Sequence, residues 1–266
     1  MHKTERQDEI LAILKQNKYA SVQELGAALY ASQPTIRRDL ARLEAAGYVM
    51  RSHGGVILRD ERIDTPVAFR SSTKTHQKMQ ISHAAAGLIG DSRTIFIDAS
   101  TTASYIAGDI QAADKLMVVT NSLRVAEALA DGLPEVWCTG GRLLRTSLAF
   151  VGSQSIRSVS DFCVDIAFFS SSALGANGVI QDYSQEETEI RKTVLRSAAK
   201  KVFLCDSSKF GQTSPFRVCA ITEVDCIITD APLPEETEAV AAFTRTETAG
   251  VYLYQRPGGS LAASHS

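Results

Sequence analysis

Ser32-Gln33-Pro34-Thr35-Ile36-Arg37-Arg38-Asp39-Leu40-Ala41-Arg42-Leu43 is the stretch that decides how the front of this 266-residue chain folds. Ile36, Leu40 and Leu43 recur at helical spacing and take one face. Thr35, Arg38 and Arg42 therefore fall opposite, with Gln33 and Arg37 flanking the first turn. Ser32 can cap this helix, Pro34 suits its opening turn and Gly47 stops it. Upstream, Tyr30-Ala31 breaks the chain after a second helix that Ser21 caps and that carries Val22, Leu25, Ala28 and Leu29. Ile10, Ile13 and Leu14 share a face of a first helix ending near Asn17. Downstream, residues 48–51 and 56–58 are strand-like runs around His53-Gly54-Gly55, a hairpin tip. An arginine-rich helix face alone is commonly just a solvated surface. As the third of three short helices ahead of a basic hairpin, it points to DNA. Arginine makes two bonds to a guanine edge, Gln33 and Thr35 reach bases or phosphates, and Arg51 and His53 lie along the backbone. Gly54 and Gly55 permit close approach to it.

Charge is distributed to match. The net charge is −2, yet residues 1–59 hold nine bases against six acids, about +3, leaving about −5 on the rest. A local basic stripe suits one duplex groove, whereas an architectural DNA protein calls for a global basic excess. No signal peptide precedes the charged start, and no apolar run approaches ~18 residues, so neither export nor membrane spanning is expected. The five cysteines form no C-x-x-C pair and read as reduced thiols of a cytoplasm, acting as small core hydrophobes. His76 and His83 have no second ligand at metal spacing, so no metal is expected, and Trp137 reads as core.

Residues 60–66 are polar, aperiodic and end in Pro66, the signature of a linker. The expected division is a DNA-binding domain over 1–59, a linker over 60–72, a second domain over 73–256 and a frayed tail over 257–266. The second domain alternates short apolar strands (94–97, 116–119, 136–138, 166–169, 202–205, 226–229, 251–254) with helices (73–88, 102–110, 123–130, 153–159, 186–199, 235–243). That alternation predicts an α/β fold with a mostly parallel sheet covered on both faces.

Thr35-Ile36-Arg37-Arg38-Asp39-Leu40, then Leu43-Glu44, Gly47 and Arg51-Ser52-His53-Gly54-Gly55, closely resembles the DeoR family of bacterial transcriptional regulators. Arg6-Gln7-Asp8-Glu9-Ile10 and Val22-Gln23-Glu24-Leu25 fit as well. The resemblance implies a winged helix-turn-helix and continues past the linker. Asp98-Ala99-Ser100-Thr101-Thr102 looks like the family's Asp-Ser-Gly-Thr-Thr loop, with Ser100 where glycine is usual. Thr120-Asn121-Ser122, Gly140-Gly141, Val151-Gly152 and Asp206-Ser207-Ser208-Lys209-Phe210-Gly211 also match. The implied second domain is an α/β sensor of the type shared with ribose-5-phosphate isomerases and CoA transferases, taking a phosphorylated sugar as effector.

The residues support a phosphate site on their own terms. Ser100, Thr101 and Thr102 follow a strand and open a helix, where backbone N–H groups hold anions. Lys209 follows another strand and supplies positive charge, and Asn121 follows a third and suits a sugar hydroxyl. Open α/β sheets bind ligands at these strand ends. Asp98 and Gly175 complete the set. Glu187 and Arg191, four apart on one helix, most often make an exposed ion pair, but the resemblance implies that they frame the pocket. The rival reading is a sugar-phosphate isomerase with a DNA-binding appendage. It requires a general base, and the loop 170–178 contains no acid. The expected protein is a regulator rather than an enzyme, a repressor of a carbohydrate operon without a cofactor. It binds double-stranded operator DNA as a dimer or tetramer, with recognition helices roughly 34 Å apart.

Overall fold

The computed structural model describes residues 3–17, 19–45, 48–52, 55–58, 70–71 and 74–257. The chain divides into two compact units, Met1–Thr73 and Lys74–Ser266. The expected helix stop at Gly47, the hairpin tip at His53 and Gly54, the linker 60–66 and the tail beyond Pro257 lie outside the described residues.

The first unit contains α1 (Lys3–Asn17), α2 (Val22–Ala28) and α3 (Gln33–Ala45). A three-stranded antiparallel sheet completes it, formed by β1 (Tyr19–Ser21), β2 (Val49–Ser52) and β3 (Gly55–Leu58) in the order β1-β3-β2. α2 opens on a capping box: Glu24 N donates to Ser21 Oγ at 3.1 Å, and Ser21 N donates to the Glu24 carboxylate at 2.7 Å. Ile10, Leu14, Leu25, Ile36, Leu40, Leu43, Val49 and Val56 form the core, so the helical spacing read from the sequence is the packing that occurs. β1 escaped the sequence reading because three residues between two helices carry no periodicity. Ala20 pairs with Val56 across it and is buried. Gly55 also changes meaning. A Cβ there would sit 2.5 Å from the Tyr19 ring and 2.6 Å from the Ala20 carbonyl oxygen. Its missing side chain admits β1 of its own chain, a reason unconnected with approach to DNA.

The second unit is built on an eight-stranded sheet in the order β15-β16-β14-β12-β9-β4-β5-β6. Six of these strands are parallel: β4 (Thr94–Ile97), β5 (Met117–Thr120), β6 (Glu135–Cys138), β9 (Ile166–Phe169), β12 (Lys200–Cys205) and β14 (Cys226–Thr229). β16 (Val251–Gln255) and β15 (Thr244–Thr248) add an antiparallel edge. Ile95 and Ile97 face one way with Ile81 and Ala85 of α4 (Thr75–Ala86), Ile106 of α5 (Ile106–Asp109) and Val125 of α6 (Leu123–Leu129). Phe96 faces the other way with Val159 of α7 (Ser153–Ser160) and Ile190 and Val194 of α8 (Gln185–Ser197). Both faces are covered, which is why the strands read as unbroken apolar runs. The smaller pieces are a hairpin of β7 (Arg142–Leu144) and β8 (Ala149–Val151), and a three-stranded sheet of β10 (Ala173–Leu174), β11 (Val179–Asp182) and β13 (Phe216–Ala220).

Four expectations are corrected. The helix at 235–243 does not form. Ala239 takes a left-handed φ of 64°, and only a 3₁₀ turn, Val240–Ala242, follows. Trp137 is 47 % exposed rather than core, because β6 is an edge strand; its indole donates to Glu135 at 3.0 Å and meets the Phe162 ring edge-on. Cys138 and Cys163 are exposed, while Cys205, Cys219 and Cys226 are buried. The helix expected over 102–110 is a 3₁₀ turn, Ala103–Tyr105, running into α5.

Candidate functional site

On α3 the structure separates two kinds of polar residue. Ser32, Gln33, Arg37, Arg38 and Arg42 are exposed and Thr35 is half-buried. The Ser32 hydroxyl meets the Thr35 hydroxyl at 2.9 Å, and the Ser32 carbonyl accepts from Ile36 N at 3.0 Å, so Ser32 closes the start of the helix. Asp39 is buried. It accepts from Arg6 Nε at 2.6 Å and from Gln7 Nε2 at 3.2 Å, tying α1 to α3, and Arg42 stands 3.9 Å away. The outward surface of the helix is thus left with cations. Arg51 lies on β2, paired with Val56 of β3; His53 and Gly54 lie outside the described residues.

In the second unit the organising residue is Asp98, at the carboxyl end of β4. Its Oδ1 accepts from Ser100 N at 3.0 Å. Its Oδ2 accepts from Arg191 Nε at 2.8 Å and from Ser170 N, just past β9, at 3.4 Å. Arg191 also donates through Nη1 to Asp182 Oδ2 at 2.7 Å. The guanidinium is buried. Burial works against its charge, but Asp182, Asp98 and Glu187 outweigh that and hold it protonated well above its ordinary range. Glu187 and Arg191 are both buried, so the exposed ion pair that their spacing suggests is not what occurs.

The adjoining loops are built from short polar turns. Ser100 Oγ accepts from Ala103 N at 3.1 Å, fixing the turn that opens toward α5, and the Thr102 carbonyl accepts from Ser82 Oγ of α4 at 2.5 Å. Ser100 therefore has a task that a glycine in its place lacks. Thr101 and Thr102 are buried beside it, and Asn121 ends β5, 2 % exposed. Lys209, half-buried, closes the 3₁₀ turn Ser207–Lys209 after β12. It is close enough to Cys205 to oppose the burial and the Asp206 charge that push that thiol well up. β12 lies two strands from β4, about 10 Å at ordinary strand spacing. Gly175 sits in the β10–β11 turn, where its N donates to Val179 O at 3.0 Å. The structure thus brings Asp98, Ser100, Glu187 and Arg191 into one cluster, with Asn121 after the adjacent strand β5 and Lys209 after β12, two strands away.

Residues 73–231 match the DeoR C terminal sensor domain, and residues 6–62 match the DeoR-like helix-turn-helix domain. The chain belongs to the DeoR family of transcriptional regulators. It is 30 % identical over 235 residues to the "Glycerol-3-phosphate regulon repressor" of Escherichia coli (strain K12), covering 88 % of this chain and 93 % of the relative. It is 32 % identical over 234 residues to the "HTH-type transcriptional repressor GlcR" of Bacillus subtilis (strain 168), 86 % and 89 % of the two chains. Among solved structures, ribose 5-phosphate isomerase A from Methanocaldococcus jannaschii overlaps 52 % of this chain and 55 % of its own at 15 % identity and a TM-score of 0.39, too loose a likeness to argue from. This DeoR-family member is a DNA-binding transcriptional regulator. No helix among its described residues is long and apolar enough to cross a membrane.

Two partners of the strand-end loops escaped the sequence reading. Asp182 lies beyond the acid-free loop 170–178 and answers Arg191; its signal was an acid ending a strand-like run. Lys74 enters α4 at a left-handed φ of 53°, donates to Ser207 Oγ at 2.7 Å and lies 3.5 Å from Asp230 Oδ2. A lone lysine before a helix gave no such signal.

Proposed function

We propose that this regulator is a cytoplasmic, homo-oligomeric repressor of a carbohydrate operon that releases operator DNA when a phosphorylated sugar occupies its second unit. Residues 1–59 read the duplex, 60–72 link, and 73–256 sense. Ser32, Gln33, Thr35, Arg37, Arg38, Arg42, Arg51, His53 and Gly54 form the reading surface. Ser100, Thr101 and Thr102 hold the phosphate, Lys209 supplies charge, and Gly175 and Asn121 line the remainder. Asp98, Glu187 and Arg191 position these loops rather than meeting the phosphate first, since Asp98 and Arg191 are already bonded to one another.

The observation that carries this reading is the Asp98–Arg191 clamp at the carboxyl ends of the parallel strands, where open α/β sheets take ligands. The same geometry disfavours isomerase chemistry. Asp182, the acid nearest the loop 170–178 in sequence, is held by Arg191 and by Tyr183 N at 2.6 Å, so it is no free base. The release route follows the chain. Ser207 lies in the turn that carries Lys209, and Lys74 bonds it at the start of the second unit. A ligand that pulls on Lys209 therefore pulls on Lys74, close behind the linker. Couplings of about 1–3 kcal/mol change affinity five- to 150-fold.

The test is fluorescence anisotropy with duplexes from upstream of the gene and its neighbours, with and without sugar phosphates. Wild type binds one duplex specifically and loses it to one sugar phosphate; Lys209→Ala binds equally but responds weakly. A protein that ignores every such duplex at low salt, or a Lys209→Ala variant that responds normally, overturns the reading in the corresponding half.

A further inference from the structure

Two oxygens near the Asp98 cluster are buried and have no hydrogen-bond partner among the described residues: Asn121 Oδ1 and Thr188 Oγ1. Their residues are 2 % and 1 % exposed. The Asn121 amide is oriented by its nitrogen, which donates to Phe150 O at 3.4 Å, so the oxygen is the atom left over. Strand β8 packs against the segments that carry both residues. Phe150 N donates to Asn121 O at 2.7 Å, and Ser122 bridges Ala149, which places β8 against the end of β5. Ala99, next to Asp98, is buried against Ala149 and Val151 of the same strand. α8 packs on β8 as well. Thr188 stands three residues before Arg191 on α8, hence on the helix face that delivers Arg191 to Asp98.

Buried side-chain oxygens in folded proteins are almost always paired, and each exception calls for an explanation. An amide oxygen only accepts, so it needs a donor, which a carbon-borne hydroxyl supplies and an ionised phosphate oxygen does not. A threonine hydroxyl both donates and accepts. We propose that Asn121 and Thr188 are the specificity-determining part of the effector site, selecting phosphate esters with free hydroxyls over phosphates without them. This rests on the effector reading above and adds Thr188 to it. A site built around a ligand hydroxyl rejects analogues lacking that group far more strongly than an apolar pocket rejects a missing methylene.

The experiment is calorimetric titration and thermal shift of the full chain with glycerol 3-phosphate, glucose 6-phosphate and fructose 1-phosphate. Methyl phosphate, which carries no hydroxyl when fully ionised, and inorganic phosphate serve as probes without a carbon-borne hydroxyl. Wild type favours at least one hydroxylated ester over methyl phosphate by about tenfold or more, the worth of a single good hydrogen bond. Thr188→Val keeps the shape, loses that preference, binds methyl phosphate as before, and melts no lower without ligand because an unpaired hydroxyl has gone. Asn121→Leu likewise loses the preference. Preference retained in both variants overturns the inference and leaves the effector reading standing, as does a wild type that binds methyl phosphate equally well. A wild type that binds no phosphate ester overturns the effector reading and this inference with it.

Discussion

Asp39 in the first unit and Asp98 in the second are each 1 % exposed, and each holds an arginine. The likeness ends there. Among the described residues Asp39 is met by side chains alone, Arg6 and Gln7 from α1, with Arg42 at a distance. Arg6 keeps 16 % of its side chain in solvent. Asp98 is met by two backbone amides and by an arginine that is 3 % exposed and shared with Asp182. Burying an acid in the first unit fastens helix to helix and clears the outer face of α3 for cations. In the second unit it orders loops at the strand ends, and the oxygens of Asn121 and Thr188 remain unpaired beside them. Among the described residues the buried acid of the first unit is answered by its own side chains, whereas the second unit keeps two buried oxygens beside its clamp without a protein partner.

The strongest way to break this contrast is Arg191→Ala. It strands two buried carboxylates, and losing one partner of a buried pair costs about 3–5 kcal/mol. Urea unfolding should show that loss, and a drop below 1 kcal/mol would mean the clamp is not what holds the loops. Asp39→Ala should cost less, about 1–3 kcal/mol, because Arg6 can turn to water. A cost equal to that of Arg191→Ala would erase the distinction. Arg38→Ala sharpens it from the other side. Operator affinity should fall by about 1–3 kcal/mol, while the melting temperature stays within the small range of surface changes. A matching loss of stability would place Arg38 in the packing. The smallest effect is chemical. Burial pushes the Cys219 thiol up to about 12 and raises Cys205 and Cys226 as well. Near pH 8 only the exposed Cys138 and Cys163 should alkylate in the folded protein, counted by intact mass; a third fast thiol would show an opened core.

Much of this was legible in residue order. The spacing of Ile36, Leu40 and Leu43 placed α3, and the apolar runs placed the parallel strands, because both periods follow from backbone geometry. The Ser-Thr-Thr and Ser-Ser-Lys turns stood out because they follow such runs. β7, β10 and β15 did not: β10 is only two residues long, and β7 and β15 are largely exposed, without a buried face to impose alternation. Trp137 misled for the same reason: membership of a strand was visible, but its place at the edge of the sheet was not.

Sequence by itself determined the family, the helix face that carries Arg37, Arg38 and Arg42, and the loops that follow β4, β5 and β12, all of them local matters of spacing and residue type. Only the tertiary structure decided which distant residues meet. Asp98 and Arg191 lie 93 positions apart and Arg6 and Asp39 lie 33 apart. An ion pair between elements depends on strand order and helix rotation, and neither is written in the spacing of the residues that form it.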